Sequence, residues 1–387
     1  MKTRIVVLGA GYAGLVAAIR AQRQAGERAE VTLVSARETF EERIRLHQAA
    51  LGQPLPLLRI ADWLEGTGVV FRCATARALD PAKRTLTLEN GHEVPFDTLV
   101  YALGSRVDLD AVPGVRVHAL ALDGRTVDRL AATLRPGARV VVVGGGLSGI
   151  EAATEIAEQL AGARVTLVTS GSLDEGFSPR AARHLRRVMK RLGVELAEER
   201  RVHELRAGVL VESDGRELAF DACVWAGGFQ APPLAREAGL PVNARGQVIV
   251  DGTLRPAGFP GIYVAGDAAH VEGHVGSPLH MACKTAMPMG AHAADNVTAA
   301  LDGRAPEVFA FRDTGVCISL GRKGGLVQAR RADGSPWFCF TGRLAAWIKE
   351  RVCRYTIGSL ERERRGKPYR WLRGKPAPAP RLLPEKA

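Results

Sequence analysis

The chain has 387 residues, which is more than one hydrophobic core usually holds, so we expect two or three domains. Hydrophobic residues make up 46% of the sequence and charged residues 24%, and no apolar run reaches the roughly 18 residues that would predict a transmembrane helix. The net charge is +12, and residues 341–387, with 13 Lys/Arg and 4 Asp/Glu, carry +9 of it, so any contact with an anionic surface is expected there.

An apolar strand at Ile5–Leu8 is followed at once by Gly9, Gly11 and Gly14 in the spacing G-x-G-x-x-G, and then by a helical pattern. Gly9 permits a tight turn, Gly11 lets a pyrophosphate approach the backbone, and Gly14 lets the helix pack closely on the strand. The helix N-terminus offers free N–H groups and a partial positive charge to the phosphates. The stretch therefore predicts a dinucleotide site.

The same pattern occurs again after the strand Val140–Val143, at Gly144, Gly146 and Gly149. Two such turns in one chain predict two bound dinucleotides. Glu151 falls in the first turn of the second helix, where the helix macrodipole alone would favour a carboxylate. It also falls where the two dinucleotides are expected to meet, so a contact with the nicotinamide is the alternative interpretation.

The following strand of each unit should end at the adenosine ribose, where an acidic residue is common. The first unit has Ser35 there, followed by Ala36 and Arg37, and the second unit has Thr169. Ser35 can still form a hydrogen bond with a ribose hydroxyl. The lack of a carboxylate at Thr169 permits a 2′-phosphate, so the sequence leaves NADH and NADPH open.

Two further buried strands end in small residues, at Ala102–Gly104 and at Gly266–Asp267. Backbone at such positions can pass close to a cofactor. The Asp267 carboxylate, beside backbone N–H groups, suits the ribityl hydroxyl and pyrophosphate of a flavin. Arg43 lies in a loop from which it can reach phosphate or flavin oxygens, although a solvated surface position is equally typical of such an arginine.

The order of these motifs predicts an α/β fold with two Rossmann-like dinucleotide-binding domains. Residues 1–112 and 230–305 would form the first domain, which is discontinuous, and residues 113–229 would form the second, inserted domain. Residues 306–387 lie outside both units and would form a small C-terminal α+β domain with a mobile tail.

The four motifs resemble, in their order over residues 1–305, the two-dinucleotide flavoprotein family of pyridine nucleotide oxidoreductases. The six cysteines include no Cys-x-x-Cys or other close pair, which argues against a redox disulfide. The chain therefore resembles type II NADH:quinone oxidoreductases and the apoptosis-inducing-factor-like quinone reductases that suppress ferroptosis. Residues 284–296 and 318–328 are more similar to the second group, since type II dehydrogenases have paired glutamines where this chain has Lys284 and Pro288.

The resemblance implies an oxidoreductase that passes hydride from NAD(P)H to FAD and then two electrons to a quinone-like acceptor. It implies FAD in the first site, NAD(P)H in the second and no metal. In those relatives a lysine matching Lys284 lies by the flavin and a glutamate matching Glu151 lies by the nicotinamide, so these are the expected catalytic residues.

The expected contacts of both dinucleotides follow from the motifs and the resemblance together. Those of FAD are Gly9, Gly11, Tyr12, Ala13, Gly14, Ser35, Ala36, Arg37, Arg43, Ala76, Ala102, Gly104, Gly266 and Asp267. Those of NAD(P)H are Gly144, Gly146, Leu147, Ser148, Gly149, Thr169 and Gly227.

Residues 344–355 alternate apolar and basic residues at near-helical spacing. Such a segment can lie on a membrane surface, as it does in related quinone reductases, or pack against the protein body or a second subunit. The first strand begins so close to Met1 that no signal peptide is expected. We therefore expect a cytoplasmic protein, with peripheral membrane contact and a homodimer both left open.

Two other functions stay open. A flavoenzyme acting on a specialised metabolite would line its pocket with Lys284, His270, His274 and His280, although each histidine alone is more typical of ordinary packing. A nucleotide-sensing binding protein would use the basic C-terminus to contact a partner. Few aromatic residues are interleaved with those cations, so no nucleic acid is expected.

Overall fold

The computed structural model describes residues 2–124, 126–272 and 279–376. The elements up to residue 107 are β1 Thr3–Leu8, α1 Tyr12–Ala25, β2 Ala29–Ser35, β3 Thr39–Phe40, α2 Leu46–Ala49, β4 Leu58–Arg59, α3 Ile60–Leu64, β5 Val70–Cys73, β6 Ala76–Asp80, β7 Thr85–Leu88, β8 Glu93–Pro95, β9 Thr98–Tyr101 and β10 Arg106–Val107. Those from residue 115 to 225 are α4 Val115–His118, β11 Leu120–Ala121, α5 Val127–Thr133, β12 Arg139–Val143, α6 Leu147–Gln159, β13 Arg164–Val168, α7 Pro179–Leu192, β14 Glu195–Ala197, β15 Val202–Arg206, β16 Val209–Glu212, β17 Glu217–Ala219 and β18 Ala222–Trp225.

The chain then returns toward the first unit and ends in a separate sheet and helix. The elements are β19 Phe229–Gln230, α8 Leu234–Glu237, β20 Val248–Ile249, β21 Ile262–Val264, β22 Ala269–His270, α9 Cys283–Leu301, β23 Gly315–Ser319, β24 Gly325–Arg330, β25 Pro336–Thr341 and α10 Gly342–Arg364. Short 3-10 turns occupy Gly26–Arg28, Arg43–Arg45 and Gly266–Ala268.

Two five-stranded parallel sheets form the frame of the molecule. Their strand orders are β21-β9-β1-β2-β5 and β11-β18-β12-β13-β14, so the strand before each glycine turn lies in the centre. Because helices cover both faces of such a sheet, its central strands are continuous apolar runs, and Ile5–Leu8 are at most 1% exposed. The predicted α/β class and the two Rossmann-like units are confirmed.

The two units share details beyond strand order. The Arg4 amide donates to Asp97 Oδ2 at 2.7 Å, and the Arg139 amide donates to Asp221 Oδ2 at 2.8 Å. Each aspartate also pairs with the guanidinium of its arginine, at 2.8 Å and 2.7 Å. Each pair joins the central strand of its sheet to a neighbouring strand, at the end remote from the glycine turn. The same framework therefore occurs twice.

Helix α9 packs closely against α1 at the first glycine turn. A Cβ on Gly290 would lie 2.1 Å from the Ala13 carbonyl oxygen, and a Cβ on Gly266 would lie 3.1 Å from the Ala13 Cβ. Only small residues permit this approach. It brings the start of α9 and the Asp267 turn beside the first helix N-terminus.

The C-terminal elements form a three-stranded antiparallel sheet, β23-β24-β25, packed against α10. The far end of α10 is fixed to α1, because the buried Glu363 carboxylate pairs with Arg23 at 2.7 Å and lies 3.7 Å from Arg20. Arg20 in turn binds Asp295 of α9 at 2.7 Å. The last helix is therefore held against the body of the protein along its length.

Candidate active site

The first glycine turn joins β1 to α1. Gly9 has φ +105°, which L residues rarely adopt, and its amide donates to the Val34 carbonyl at 2.8 Å. A Cβ on Gly14 would lie 1.7 Å from the Gly9 carbonyl oxygen, and a Cβ on Gly9 would lie 2.4 Å from that of Ala102. The backbone is packed more tightly than any side chain would allow, which brings the N-terminus of α1 to the end of β1.

The second turn repeats this geometry between β12 and α6. Gly144 has φ +118°, and its amide donates to the Val168 carbonyl at 2.8 Å. A Cβ on Gly149 would lie 1.8 Å from the Gly144 carbonyl oxygen, and a Cβ on Gly144 would lie 2.6 Å from that of Ala226. The two predicted turns therefore have the same structure.

Gly11 and Gly146 hold the middle position of each turn. Each is the N-cap of its helix, with φ −80° and −71°, and a Cβ on either would meet no atom within 4 Å. Because glycine has no side chain that could accept a hydrogen bond from the first N–H groups of its helix, these groups are left for solvent or a ligand in both helices. An open cradle at a helix N-terminus fits a pyrophosphate, and the chain has two of them.

Asp267 lies beside the first cradle in a small polar cluster. Its Oδ2 accepts a hydrogen bond from Ser105 Oγ at 2.7 Å and lies 3.9 Å from Arg43 Nη1. Arg43 also donates to the Ser105 carbonyl at 2.9 Å. Burial raises the pKa of Asp267 above its ordinary value, although Ser105 and Arg43 oppose this. The structure brings Asp267 and Arg43 together beside the first cradle, and their contacts with a cofactor stay predictions. Ser105 is an addition that the sequence did not single out.

Other predicted FAD contacts lie around this cradle. Tyr12 is buried with its ring edge-on to Phe40, and its hydroxyl has no hydrogen-bond partner within the described ranges. Ser35 Oγ accepts from the Arg37 amide at 3.3 Å, and the Arg37 guanidinium pairs with Glu41. Ala13 packs against α9, Ala36 is exposed beside Ser35, Gly104 has φ +68°, and Ala76 begins β6 opposite Leu88. Their contacts with a cofactor stay predictions.

Lys284, at the start of α9, is engaged by protein groups. Its Nζ donates to Asp313 Oδ1 at 2.6 Å and to the Gly315 carbonyl at 2.9 Å. Asp313 also pairs with Arg330 at 3.3 Å. Burial opposes ionisation of Asp313, but Lys284 holds its pKa below the ordinary value. The positive charge of Lys284 is therefore paired with the Asp313 carboxylate, a contact that the sequence did not indicate.

The structure places Glu151 in the second turn of α6 and not in the first, where the sequence suggested it; the residue is 7% exposed and contacts groups from three other elements. Its Oε1 accepts from Lys349 Nζ and from the Ser319 amide, each at 2.9 Å. Its Oε2 lies 3.9 Å from His47 Nδ1. Lys349 comes from α10, Ser319 from β23 and His47 from α2, so residues far apart in sequence meet at the second helix N-terminus.

The ionisation of this cluster follows from its burial and its charges. Burial favours neutral forms, but Lys349 and His47 hold the pKa of Glu151 below its ordinary value, and Glu151 raises the pKa of Lys349. Burial lowers the pKa of His47 to about 4. Near neutral pH the cluster is therefore a Glu151–Lys349 ion pair beside a neutral imidazole.

A cavity of about 560 Å³ leads from the surface to this ion pair. Its lining includes Ser319, Arg322, Lys323, Arg343, Trp347 and Lys349. Arg322 is paired with Glu155 at 2.6 Å. Lys349 thus faces a space large enough for a small aromatic ring system, and its buried carboxylate partner lies behind it.

Comparison with known proteins places this site in a family. A model of the pyridine nucleotide-disulphide oxidoreductases matches residues 3–295. An NADH dehydrogenase-like protein of Mycobacterium tuberculosis is 31% identical over 330 residues, which cover 76% of this chain and 80% of that protein. The chain belongs to the pyridine nucleotide-disulphide oxidoreductase family.

Two further similarities extend beyond the matched model. A type II NADH:quinone oxidoreductase of Staphylococcus aureus is 26% identical over 385 residues, covering 90% of this chain and 94% of that protein. The structure of the sulfide:quinone oxidoreductase of Aquifex aeolicus has a TM-score of 0.80 and 16% identity, covering 93% of this chain and 92% of the other. The C-terminal elements therefore belong to an architecture that other proteins share.

Despite the name of this pyridine nucleotide-disulphide oxidoreductase family, the six cysteines of this chain are free. Burial raises the pKa of Cys283 to about 12 and that of Cys353 to about 11, so both are thiols at neutral pH. The Cys317 carbonyl accepts from Lys349 Nζ at 3.3 Å, which uses backbone and not sulfur. Thiolate chemistry at this site is therefore disfavoured.

The remaining sequence candidates occupy other places. His270 is held by Asn243 at 3.1 Å, and burial lowers the pKa of His280, while His274 lies outside the described residues. Leu147, Ser148 and Gly227 lie at the second turn, and the contacts of all three stay predictions. In the described ranges no three His, Cys, Asp or Glu side chains form a metal site, and no helix there has the length and apolarity to cross a bilayer.

Replacing Lys349 should expose the cost of an unpaired buried carboxylate. We expect Lys349→Met to lower the free energy of unfolding by about 3 kcal/mol near pH 7, because Glu151 stays buried without its cation. Burial then raises the Glu151 pKa, so the loss should shrink as the pH falls toward about 5 and the carboxyl binds a proton. Calorimetric unfolding of the variant over this pH range measures both effects.

The double variant Glu151→Gln with Lys349→Met should recover part of the lost stability, since neither charge is then buried alone. Lys323→Met serves as the control, because Lys323 is an exposed cation on the same cavity and its loss should change the unfolding free energy by less than about 0.5 kcal/mol. Equal losses for Lys349→Met and Lys323→Met would contradict the assigned role of the pair.

Proposed function

We propose that this protein is an FAD-dependent NAD(P)H:quinone oxidoreductase. The observation that carries the proposal is the presence of two matching pyrophosphate cradles, at Gly11 and Gly146, in one chain whose buried Glu151–Lys349 pair opens to a cavity. The similarity to proteins named NADH dehydrogenase-like and type II NADH:quinone oxidoreductase supports the same reaction. The two alternatives, a flavoenzyme acting on a specialised metabolite and a nucleotide-sensing binding protein, have no comparable support.

FAD is assigned to the first cradle and NAD(P)H to the second. Gly11 and the N–H groups of α1 would hold the FAD pyrophosphate, and Asp267, oriented by Ser105 and Arg43, would accept from a ribityl hydroxyl. Gly146 and Thr169 would hold the NAD(P)H. The corresponding domain limits are 1–112 with 230–305, 113–229, and 306–387.

Bound FAD supplies the chemistry of accepting hydride from NAD(P)H and passing electrons to a quinone. The residues of this chain position the reactants and stabilise developing charge. Glu151, in the second turn of α6, would orient the nicotinamide, and it keeps Lys349 protonated. Lys349 Nζ faces the cavity and would donate a hydrogen bond to a quinone oxygen as negative charge develops there.

Lys284 is assigned to the flavin site in a different role. Because Asp313 lies 2.6 Å from its Nζ, the pair acts as an oriented dipole and not as an isolated charge. Its N–H groups can still stabilise negative charge on a neighbouring ring. The residue is therefore a positioning and electrostatic group beside the flavin.

A first experiment separates the two halves of the reaction. Anaerobic NADH should bleach the flavin absorbance of the FAD-loaded protein, and menadione should restore it. Lys349→Met should lower quinone turnover about 100-fold through loss of the cation that stabilises charge on the quinone oxygen, while flavin reduction by NADH changes by less than about threefold. Lys323→Met should leave both rates unchanged. If neither NADH nor NADPH bleaches the flavin, the proposed reaction is overturned.

The protein is also proposed to contact a membrane surface through an aromatic face. This face consists of Trp337, Phe338, Phe340, Leu344 and Trp347, each at least 40% exposed. The first three lie on the edge strand β25 with their rings in edge-to-face contact, and the other two lie on α10. So large an exposed apolar patch is unusual on a monomer, and it borders the mouth of the cavity.

Basic side chains surround the aromatic face. Arg343 and Lys323 line the neighbouring cavity mouth, and Arg351 lies over the Trp347 ring at 5.8 Å. Aromatic residues flanked by cations favour the interface of an anionic bilayer. A quinone dissolved in the lipid would then reach the cavity without crossing water.

Vesicle co-sedimentation tests this contact. The protein should bind vesicles containing phosphatidylglycerol more tightly than vesicles of phosphatidylcholine alone. The variant Phe340→Ser with Trp347→Ser should lose most of the binding, because it removes two exposed aromatic anchors. Val117→Ser is the control, since Val117 is 75% exposed on α4 of the other unit. Equal vesicle binding by the double variant and by Val117→Ser would rule out this face as the membrane contact. If the native protein sediments as a dimer and the double variant as a monomer, the face instead mediates self-association.

A further inference from the structure

The loop that follows β13 borders the second cradle where the adenosine ribose would lie. Thr169, at its start, is packed on the glycine turn, since a Cβ on Gly145 would lie 2.4 Å from Thr169 Oγ1. The Gly171 amide donates to the same oxygen at 3.4 Å. In dinucleotide-binding units this edge contacts the ribose 2′ position, so its charge decides which nucleotide fits.

Glu175 folds back onto this loop. Its Oε1 accepts from the Ser172 amide at 3.3 Å and lies 2.7 Å from where a Cβ on Gly171 would be. The end of β13 has no carboxylate at Thr169, and Glu175, six positions further along the chain, lies against the loop that follows this strand. The sequence alone permits a 2′-phosphate here, because the spacing of residues does not reveal that Glu175 folds back onto the loop after β13.

Three carboxylates, of Asp174, Glu175 and Glu198, lie on or beside this loop. Asp174 and Glu198 share one cation, Arg186, at 2.9 Å and 2.7 Å. Glu175 has no ion pair within the described part of the chain. Two nearby arginines are also engaged, because Arg200 pairs with Glu212 and Arg330 with Asp313. Arg186, Arg200 and Arg330 are therefore all paired with other carboxylates, and the Glu175 carboxylate is not neutralised by any of them.

We propose that Glu175 selects NADH over NADPH as the reductant of this enzyme. The inference rests on the proposed function, because it names the nucleotide class that the second cradle accepts. The 2′-phosphate of NADPH carries close to two negative charges at neutral pH and would lie against an acidic loop, whereas the 2′-hydroxyl of NADH can donate a hydrogen bond to a carboxylate.

Stopped-flow reduction of the bound flavin, without quinone, measures the preference. The native protein should be reduced by NADH at least about tenfold more efficiently than by NADPH, and Glu175→Gln should narrow this ratio about three- to tenfold by removing one negative charge. Glu175→Arg should narrow it further. Glu93→Gln, which removes an exposed carboxylate from the other unit, should leave the ratio unchanged.

Calorimetric binding of adenosine 2′,5′-bisphosphate and of 5′-AMP gives a readout that needs no turnover. Glu175→Gln should tighten the bisphosphate about three- to tenfold and 5′-AMP much less, and added salt should reduce the difference. An unchanged ratio in Glu175→Gln, by both kinetics and binding, would overturn the role of Glu175. If neither nucleotide reduces the flavin, the proposed function fails, while the binding measurement still tests the selectivity.

Discussion

The structure depends on the absence of a Cβ at two equivalent positions. At Gly14 and Gly149 a Cβ would lie less than 2 Å from a backbone carbonyl oxygen, so only glycine lets each helix start at the end of its strand. This close approach directs the N–H groups of α1 and α6 into the open positions at Gly11 and Gly146. The two cradles therefore follow from one local constraint used twice.

The C-terminal elements complete the site through a buried charge pair. Removing Glu151 and Lys349 from water is costly, and the pair is acceptable only because Ser319 and His47 contact the carboxylate and the amine also meets a backbone carbonyl. The pair joins α6 to α10, which carries Leu344 and Trp347 of the aromatic face. The second cradle, the cavity and the aromatic face are thereby linked through a single helix.

Much of this arrangement could be predicted because its signals are local. The glycine turns, the strand ending at Asp267 and the α/β class are each encoded within about a dozen consecutive residues. Lys349 falls in the stretch 344–355, for which the sequence leaves membrane contact and packing against the protein both open, and nothing near it in sequence reveals its contact with Glu151, almost 200 positions earlier. Ser105, Asp313 and Glu175 were missed for the same reason, since their roles arise from tertiary contacts and from a loop that folds back.

The central claim is that the first cradle holds FAD and the second holds its reductant. Gly11→Val and Gly146→Val test it directly, because a Cβ at either position has no protein atom within 4 Å and projects into the space for a ligand. FAD content and its reduction by NADH should be measured on both variants. The account predicts that Gly11→Val folds without FAD and that Gly146→Val retains FAD but is no longer reduced; full FAD content with normal reduction in both variants would contradict it.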